Sequence, residues 1–428
     1  YMFYNVSPSV TSNVSAWNTS LVMNMEYMFY NASSFNSQMT AWNTPNVEHM
    51  RHMFDGATAF AGDISHWNTN KVASMEYMFL GAENFNSDLS NWNTSLITNF
   101  TRMFSGAKKF NSNIDYNAST DKWNTSNVTK MDYMFTGAEA FNGNVGNWDT
   151  SNVNSMLHIF TNAKSFNRPI RNWNVTLITD MNNMFSGAHA FNQDISTWNT
   201  SNVTNMAQMF QNAEAFNRYI NTDNANNYWV TTAVTNMSYM FYGAISFDQD
   251  LSKWNTTLVT TMAHMFHGAT DYNPVSMPWD TASVVSMNSM FRNATSFTYN
   301  IAAYWTFLNV DDIDYFIHCN GYTYTDYGAF LISFADSDVK SGLTLGYTGK
   351  IRLDTADVNA AFNKLTSSNE KNMTIYDGGA NTQDTIDTFA AEQDRDKPHQ
   401  IGTINDIDAS YTLLATENVL FDSGGFFG

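Results

Sequence analysis

The sequence predicts an α/β solenoid of about twelve turns, each with one short strand and one short helix, closed by a C-terminal cap. Three observations predict it. Every tryptophan stands on one ladder: Trp17, Trp42, Trp67, Trp92, Trp123, Trp148, Trp173, Trp198, Trp229, Trp254, Trp279 and Trp305. The step is 25 residues, apart from two steps of 31 (Trp92 to Trp123, Trp198 to Trp229) and a last one of 26. A Met-x-x-Met-Phe run follows most tryptophans, and a Phe-Asn pair follows that run at a fixed distance. A period in this range marks units that bury their apolar faces only by stacking on one another.

In the turn that begins at Trp198, Val203, Met206, Met209 and Phe210 share one face at helical spacing. Thr200 or Ser201 stands where an N-cap is expected. Two residues beyond the Phe of each run comes only Gly or Asn: Asn5, Asn31, Gly56, Gly81, Gly106, Gly137, Asn162, Gly187, Asn212, Gly243, Gly268 and Asn293. Both residue types tolerate the left-handed conformation that ends a helix, so these positions are expected to be helix C-caps with positive φ. Beyond the cap stand Phe60, Phe85, Phe191 and their equivalents, with an aliphatic four residues on (Ile64, Leu89, Ile195). This piece is expected to pair with its neighbours as a narrow parallel sheet, about 4.8 Å per turn. The Asn that follows Phe in most turns (Asn86, Asn142, Asn167, Asn192, Asn217) predicts a buried ladder of stacked amides.

Composition narrows the function classes. The chain of 428 residues is 15% aromatic and 14% charged, too aromatic and too weakly charged for disorder. Its formal charge of −19 opposes nucleic-acid binding, which needs clustered Lys and Arg. No apolar run reaches the ~18 residues of a membrane span. Cys319 is the one cysteine, so no intrachain disulfide forms. The opening Tyr1-Met2-Phe3 repeats Tyr27-Met28-Phe29, from which we expect the native N-terminus to lie upstream.

The phrase F-N-Q-D-I-S-T-W-N-T-S-N-V-T-N-M-A-Q-M-F (Phe191 to Phe210) resembles the repeats of the BspA-like leucine-rich-repeat surface proteins, often called the DUF285 family. The resemblance covers roughly Tyr1 to Trp305. It implies a right-handed leucine-rich-repeat-like solenoid in secreted or surface-anchored microbial proteins, with roles in adhesion. It carries over no catalytic residue. The chain departs from many relatives in having Trp-Asn-Thr for Trp-Asp-Val, and in its two insertions.

The boundaries that follow are 1–305 for the repeats, 306–378 for degenerate capping repeats, and 379–428 for a tail or linker toward a further domain or subunit. Within the cap, Phe330–Phe334 reads as strand-like, Asp357–Leu365 as helix-like and Met373–Gly379 as a further strand-like piece. The two long steps add six residues between Phe and Trp at one corner of the turn, four turns apart. Insertions on one face are often where a solenoid makes contact; a tolerated insertion, or duplication of a four-turn block, leaves the same pattern. The interaction candidates there are Asp115, Tyr116, Asp121, Asn221, Asp223 and Asn226.

Candidates for chemistry are sparse. The pairs His49/His52 and His264/His267 lack the Glu of a zinc-protease arrangement and are expected to be exposed polar residues. Asp63, Asp88, Asp194 and Asp250 share one position, but Gln38, Asn113, Pro169 and Tyr219 replace them elsewhere, so a solvated edge is expected. Asp311, Asp312 and Asp314 form the better calcium candidate. The glycosylation candidates are Asn93, Asn117 and Asn372, of which Asn117 lies in an insertion. A threonine row (Thr19, Thr44, Thr69, Thr94, Thr125, Thr150, Thr200) raises an ice- or crystal-binding array, broken at Val175.

The expected function is therefore a non-enzymatic structural or adhesive protein, secreted or on a cell or virion surface. It is expected to contact protein or glycan ligands, without nucleic acid or cofactor. The alternative is a self-assembling subunit of a fibre or coat, joined through the C-terminal tail.

Overall fold

The tryptophan is the residue that ties one repeat to the previous one. The Trp123 indole N–H donates to the Leu89 carbonyl at 2.7 Å, Trp148 to Ile114 at 2.8 Å, Trp173 to Val145 at 3.0 Å and Trp254 to Ile220 at 2.9 Å. The acceptor is the aliphatic residue four beyond Phe, one repeat back. Successive indoles stack nearly parallel, with centroids 5.8 Å apart for Trp42–Trp67 and 6.2 Å for Trp148–Trp173. Trp suits this place because a large apolar ring and one N–H donor serve together.

The computed structural model describes residues 14–377, except 224, 227, 319, 349 and 351. These belong to one unit, Tyr1–Asn381; a second unit, Thr382–Gly428, lies outside the described residues, and with it nearly all of the expected tail. Asn5 and Cys319 also lie outside them.

The other two residues of the Trp-Asn-Thr triplet complete the link. The Asn93 side chain accepts the Ser95 N–H at 2.9 Å, which turns the chain. The Thr69 hydroxyl accepts the Asn93 N–H at 2.7 Å and donates to the Asn93 carbonyl at 3.0 Å, so one side chain satisfies both main-chain groups of the next repeat. Thr94 and Thr200 are fully buried. They do not cap helices, and buried hydroxyls cannot face a crystal surface.

The predicted helix is not formed. The segment from each first Met to Ala is a run of turns, and among the described residues the first helical element is the 3-10 turn Ile301–Ala303. Alternate N–H groups stay local, as Met28 to the Met25 carbonyl and Tyr30 to Tyr27. The others cross to the following repeat: Met25 to His49, Tyr27 to Arg51, Phe29 to Met53 and Asn31 to Asp55. A helix would keep all these donors within one turn and leave nothing to join repeats. The left-handed Gly and Asn positions are real, with φ of 65–73° at Gly56, Gly81, Gly106, Gly137, Gly187, Gly243 and Gly268, but they close turns rather than helices. A second left-handed residue lies four positions earlier, at Tyr27, His52, Tyr77, Arg102, Tyr133, His158, Asn183, Gln208, Tyr239, His264 and Ser289. Its strain, about 1–2 kcal/mol, is offset by the cross-repeat bond its N–H makes.

The predicted sheet is displaced. Single-residue parallel bridges join Asn24, His49 and Ser74, and later Asn205, Asn236, Thr261, Ser286 and Asp312, just before each run. At Phe-Asn the link is instead amide to backbone: the Asn142 side chain accepts the Asn167 N–H at 3.0 Å, and Asn167 accepts Asn192 at 3.0 Å. These asparagines are not a buried amide-to-amide ladder, because the acceptor is needed by the next main chain. Inside, the Phe of each run and the Phe beyond it stack in pairs, 4.0 Å apart for Phe54–Phe60, and each column continues through the repeats. Met50, Met53, Met75 and Met78 fill the space beside the columns with no exposed surface.

One further turn follows Trp305, in which the carbonyls of Asp312, Asp314, Phe316 and His318 accept from the repeat before, and residues 323–377 then fold differently. Helix α1 (Tyr324–Asp336) starts on a Thr323/Asp326 capping box and α2 (Ala356–Thr366) on Thr355. Between and after them, β1 (Thr344–Tyr347) and β2 (Thr374–Tyr376) pair in parallel. Phe330–Phe334, read as strand-like, lies inside α1, because Tyr327, Phe330, Leu331 and Phe334 form its buried face. Phe334 meets Phe307 edge-on at 4.8 Å, which covers the last aromatic rung. Gly346 lies against the preceding turn, where an added Cβ would fall 1.8 Å from the Asp314 carboxylate.

Candidate functional site

The two insertions are built alike. In the first, Asn117 N–H donates to Lys122 O at 3.1 Å; in the second, Asp223 and Tyr228 exchange bonds of 2.9 and 3.0 Å. Each small antiparallel loop rejoins its repeat at a left-handed tryptophan, Trp123 (φ 52°) or Trp229 (φ 49°). The roots are clamped to the following repeat. Asp115 accepts from Asn144 Nδ2 (2.5 Å), Asn147 N (3.0 Å) and Asn147 Nδ2 (2.7 Å). At the second root Asn221 donates to Asp250 (2.9 Å) and accepts from Lys253 N (3.0 Å).

This divides the six interaction candidates. Asn221 is buried, and Asp115 is half-buried and fully engaged, so both hold the insertion in place. Tyr116 is half-buried and reaches Asp121 at 3.4 Å. Asp223 accepts from Asn226 Nδ2 (2.8 Å) and Ala225 N, and the Asn226 bond leads in holding its carboxyl below the usual range. Asp121 and Asn226 are exposed. Of the sequons, Asn117 is exposed, Asn372 is exposed with φ 48°, and Asn93 is half-buried with its amide donating to Asn70 at 3.1 Å.

His52, His264 and His267 are half-buried and not a solvated face. His52, His158 and His264 stand 106 positions apart, at equivalent left-handed rungs. Each stacks on the tyrosine one repeat earlier, Tyr27, Tyr133 or Tyr239, at 4.4–4.5 Å. The Nδ1 of each meets the residue three further on: Asp55 at 2.7 Å, Thr161 at 3.4 Å and His267 at 3.2 Å. Burial lowers His158 and His264 to about 4 and His267 to about 3, so all three are neutral at pH 7. Burial is also the leading cause that raises the Asp55 carboxyl.

The three calcium candidates do not converge. Asp311 pairs with Lys340, Asp312 accepts from Asn288 Nδ2 and Asp314 N at 3.1 Å, and Asp314 accepts from Tyr315 N. Among the described residues, no group of three or more His, Cys, Asp or Glu could hold a metal ion. Asp63, Asp88, Asp194 and Asp250 each accept the N–H two residues on, at 2.8–2.9 Å, and so shape a turn. No helix among the described residues is long and apolar enough to cross a membrane.

Sequence reading missed a cleft of about 680 Å³ where the last repeats meet α1, lined by Asp280, Tyr304, Ser333, Asp336 and Asp338. No repeat position signals it, because Ser333, Asp336 and Asp338 reach Tyr304 only through the fold.

A family described as "Mycoplasma protein of unknown function, DUF285" matches residues 1–117, 115–223 and 219–323. No curated protein and no solved structure matches the chain. The two junctions between the matched stretches fall in the two insertions. The 106-position spacing of His52, His158 and His264, and of the two clamps, marks the same four-turn block. Matched over residues 1–323 of 428, the chain belongs to the DUF285 family.

Proposed function

We propose that this chain is a non-enzymatic surface protein of adhesive role, a BspA-like, right-handed leucine-rich-repeat-like solenoid that works outside the cell or on a virion by contacting protein partners. One observation carries the reading: in most of the described repeats the Trp, Thr and Asn side chains are used between repeats. The Trp indole, the Thr hydroxyl and the Asn amide all bond to a neighbouring main chain. Such a scaffold works through its surface. Its acidic balance, −19, favours partners that present basic groups.

The test applies the full chain to arrays of purified extracellular-matrix proteins and of glycans. The reading expects saturable binding to one or more proteins. Binding to glycans alone would replace the protein-contact reading with a lectin one, and saturable binding to neither array would overturn adhesion. Protease treatment of intact source cells checks exposure, since a surface protein is cleaved without lysis. The joining-arm alternative rests on residues 379–428, all of which lie outside the described residues.

A further inference from the structure

We infer that the cleft between the last repeats and α1 binds a basic side chain, lysine or arginine, presented by an extended segment of a protein partner. The inference rests on the adhesive reading and names the partner chemistry for it.

Four observations carry it. The cleft holds about 680 Å³, enough for a side chain and its flanking backbone. Its lining contains Asp280, Asp336 and Asp338 and no Lys, Arg or His. Tyr304 lines the same cleft with 66% of its surface exposed, and it stacks at 13° on Tyr299, 5.8 Å away, which fixes its orientation. The carboxylates are not equally occupied: Asp336 accepts Lys364 at 3.0 Å and Asp280 accepts Ala282 N at 2.9 Å. Asp338 makes no side-chain hydrogen bond or ion pair among the described residues; its carbonyl accepts Phe307 N, which anchors it at the rim.

An exposed aromatic face beside carboxylates, of which Asp338 has no cation paired to it among the described residues, is the chemistry that recognises an organic cation: the ring attracts it through its quadrupole and the free carboxylate through an ion pair. A neutral sugar would use the ring but gain nothing from three negative charges. The cleft also lies on a chain of net charge −19, so basic segments are drawn toward it before they dock. Ala302 and Ala303 also line it, and their small side chains leave room for the stem of a long side chain.

The experiment titrates the full chain with a fluorescein-labelled tetra-arginine peptide, read by fluorescence polarisation at low salt. Tyr304→Ala and Asp338→Asn should each weaken binding about five- to tenfold, while Tyr304→Phe keeps the ring and the affinity. Asp149→Asn removes an equal charge from an exposed place outside the cleft, where other repeats carry Asn, and should change affinity less than about twofold. Circular dichroism of each variant confirms an unchanged fold. Equal losses from Asp149→Asn and Asp338→Asn would show diffuse attraction and overturn the proposal, as would unchanged binding by a folded Tyr304→Ala. A chito-oligosaccharide that binds the cleft and is not displaced by the peptide would also overturn it. If the chain binds matrix proteins with the cleft variants unaffected, this proposal fails and the adhesive reading stands.

Discussion

Asp115 accepts the side-chain amide of Asn144 at 2.5 Å, and 106 positions later the same contact reappears as Asn221 donating to Asp250 at 2.9 Å, with donor and acceptor exchanged. Two copies of one contact with opposite polarity show that the bond is retained and not the residue. Asp115→Asn places two amide donors face to face and should cost about 1–2 kcal/mol. Adding Asn144→Asp recreates the arrangement at Asn221/Asp250 and should recover most of that loss. Urea unfolding of both single variants and the double variant measures the coupling. Additive losses would mean that Asp115 acts only through Asn147.

The indole bonds make a second prediction. Trp173 donates to Val145 at 3.0 Å, whereas Trp67 Nε1 is buried without a partner. Trp→Phe at either place removes similar volume, but only at Trp173 does it orphan a carbonyl. Trp173→Phe should therefore cost about 1–2 kcal/mol more than Trp67→Phe in thermal or denaturant unfolding.

Val175 is the rung where the buried threonine row is interrupted, and it is 1% exposed. Val175→Thr offers a hydroxyl to the main chain of the next repeat, as Thr150 does to Asn174 at 2.7 and 3.0 Å. The expected change is a gain of about 0.5–1.5 kcal/mol. A loss would mean that local packing at Val175 outweighs the restored bond.

Stability should depend on pH through the stacked histidines. Burial lowers His158 and His264 from 6.5 to about 4, and His267 to about 3. The unfolded chain therefore binds more protons as pH falls, and the native state loses stability. Their contribution is fully present above pH 6.5 and is lost as pH drops toward 4. His158→Gln should flatten the fall in melting temperature across this window; an equal slope in the variant would place the pH dependence elsewhere. For His158 the charged neighbours Asp180 and Asp132 act against the shift and Arg102 acts with it.

Much of the repeat was legible because spacing alone carries it. Trp, Thr and the Gly/Asn positions recur at a period that no local preference produces. The local conformation was not legible. Met206, Met209 and Phe210 fit a helix at 3.6 residues per turn, and they fit a run of i→i+3 turns equally well. What decides between them is the left-handed residue at Tyr27, His52 or Arg102, and these types do not announce positive φ. At the insertions, sequence located the loops but not their division of labour. Asp115 and Asn221 looked like surface residues until the clamps to Asn144 and Asp250 were seen. The cleft at Tyr304 was invisible because α1 reaches it only through the fold.

The most direct measurement of how this protein works applies three forms of the 428-residue chain to one array of purified extracellular-matrix proteins: the native sequence, Tyr304→Ala with Asp338→Asn, and Asp121→Ala with Asp223→Ala. We predict saturable binding by the native chain and by the insertion variant, and at least a tenfold loss for the cleft variant. Loss of binding in the insertion variant with full binding in the cleft variant, or no saturable binding by the native chain at all, would contradict it.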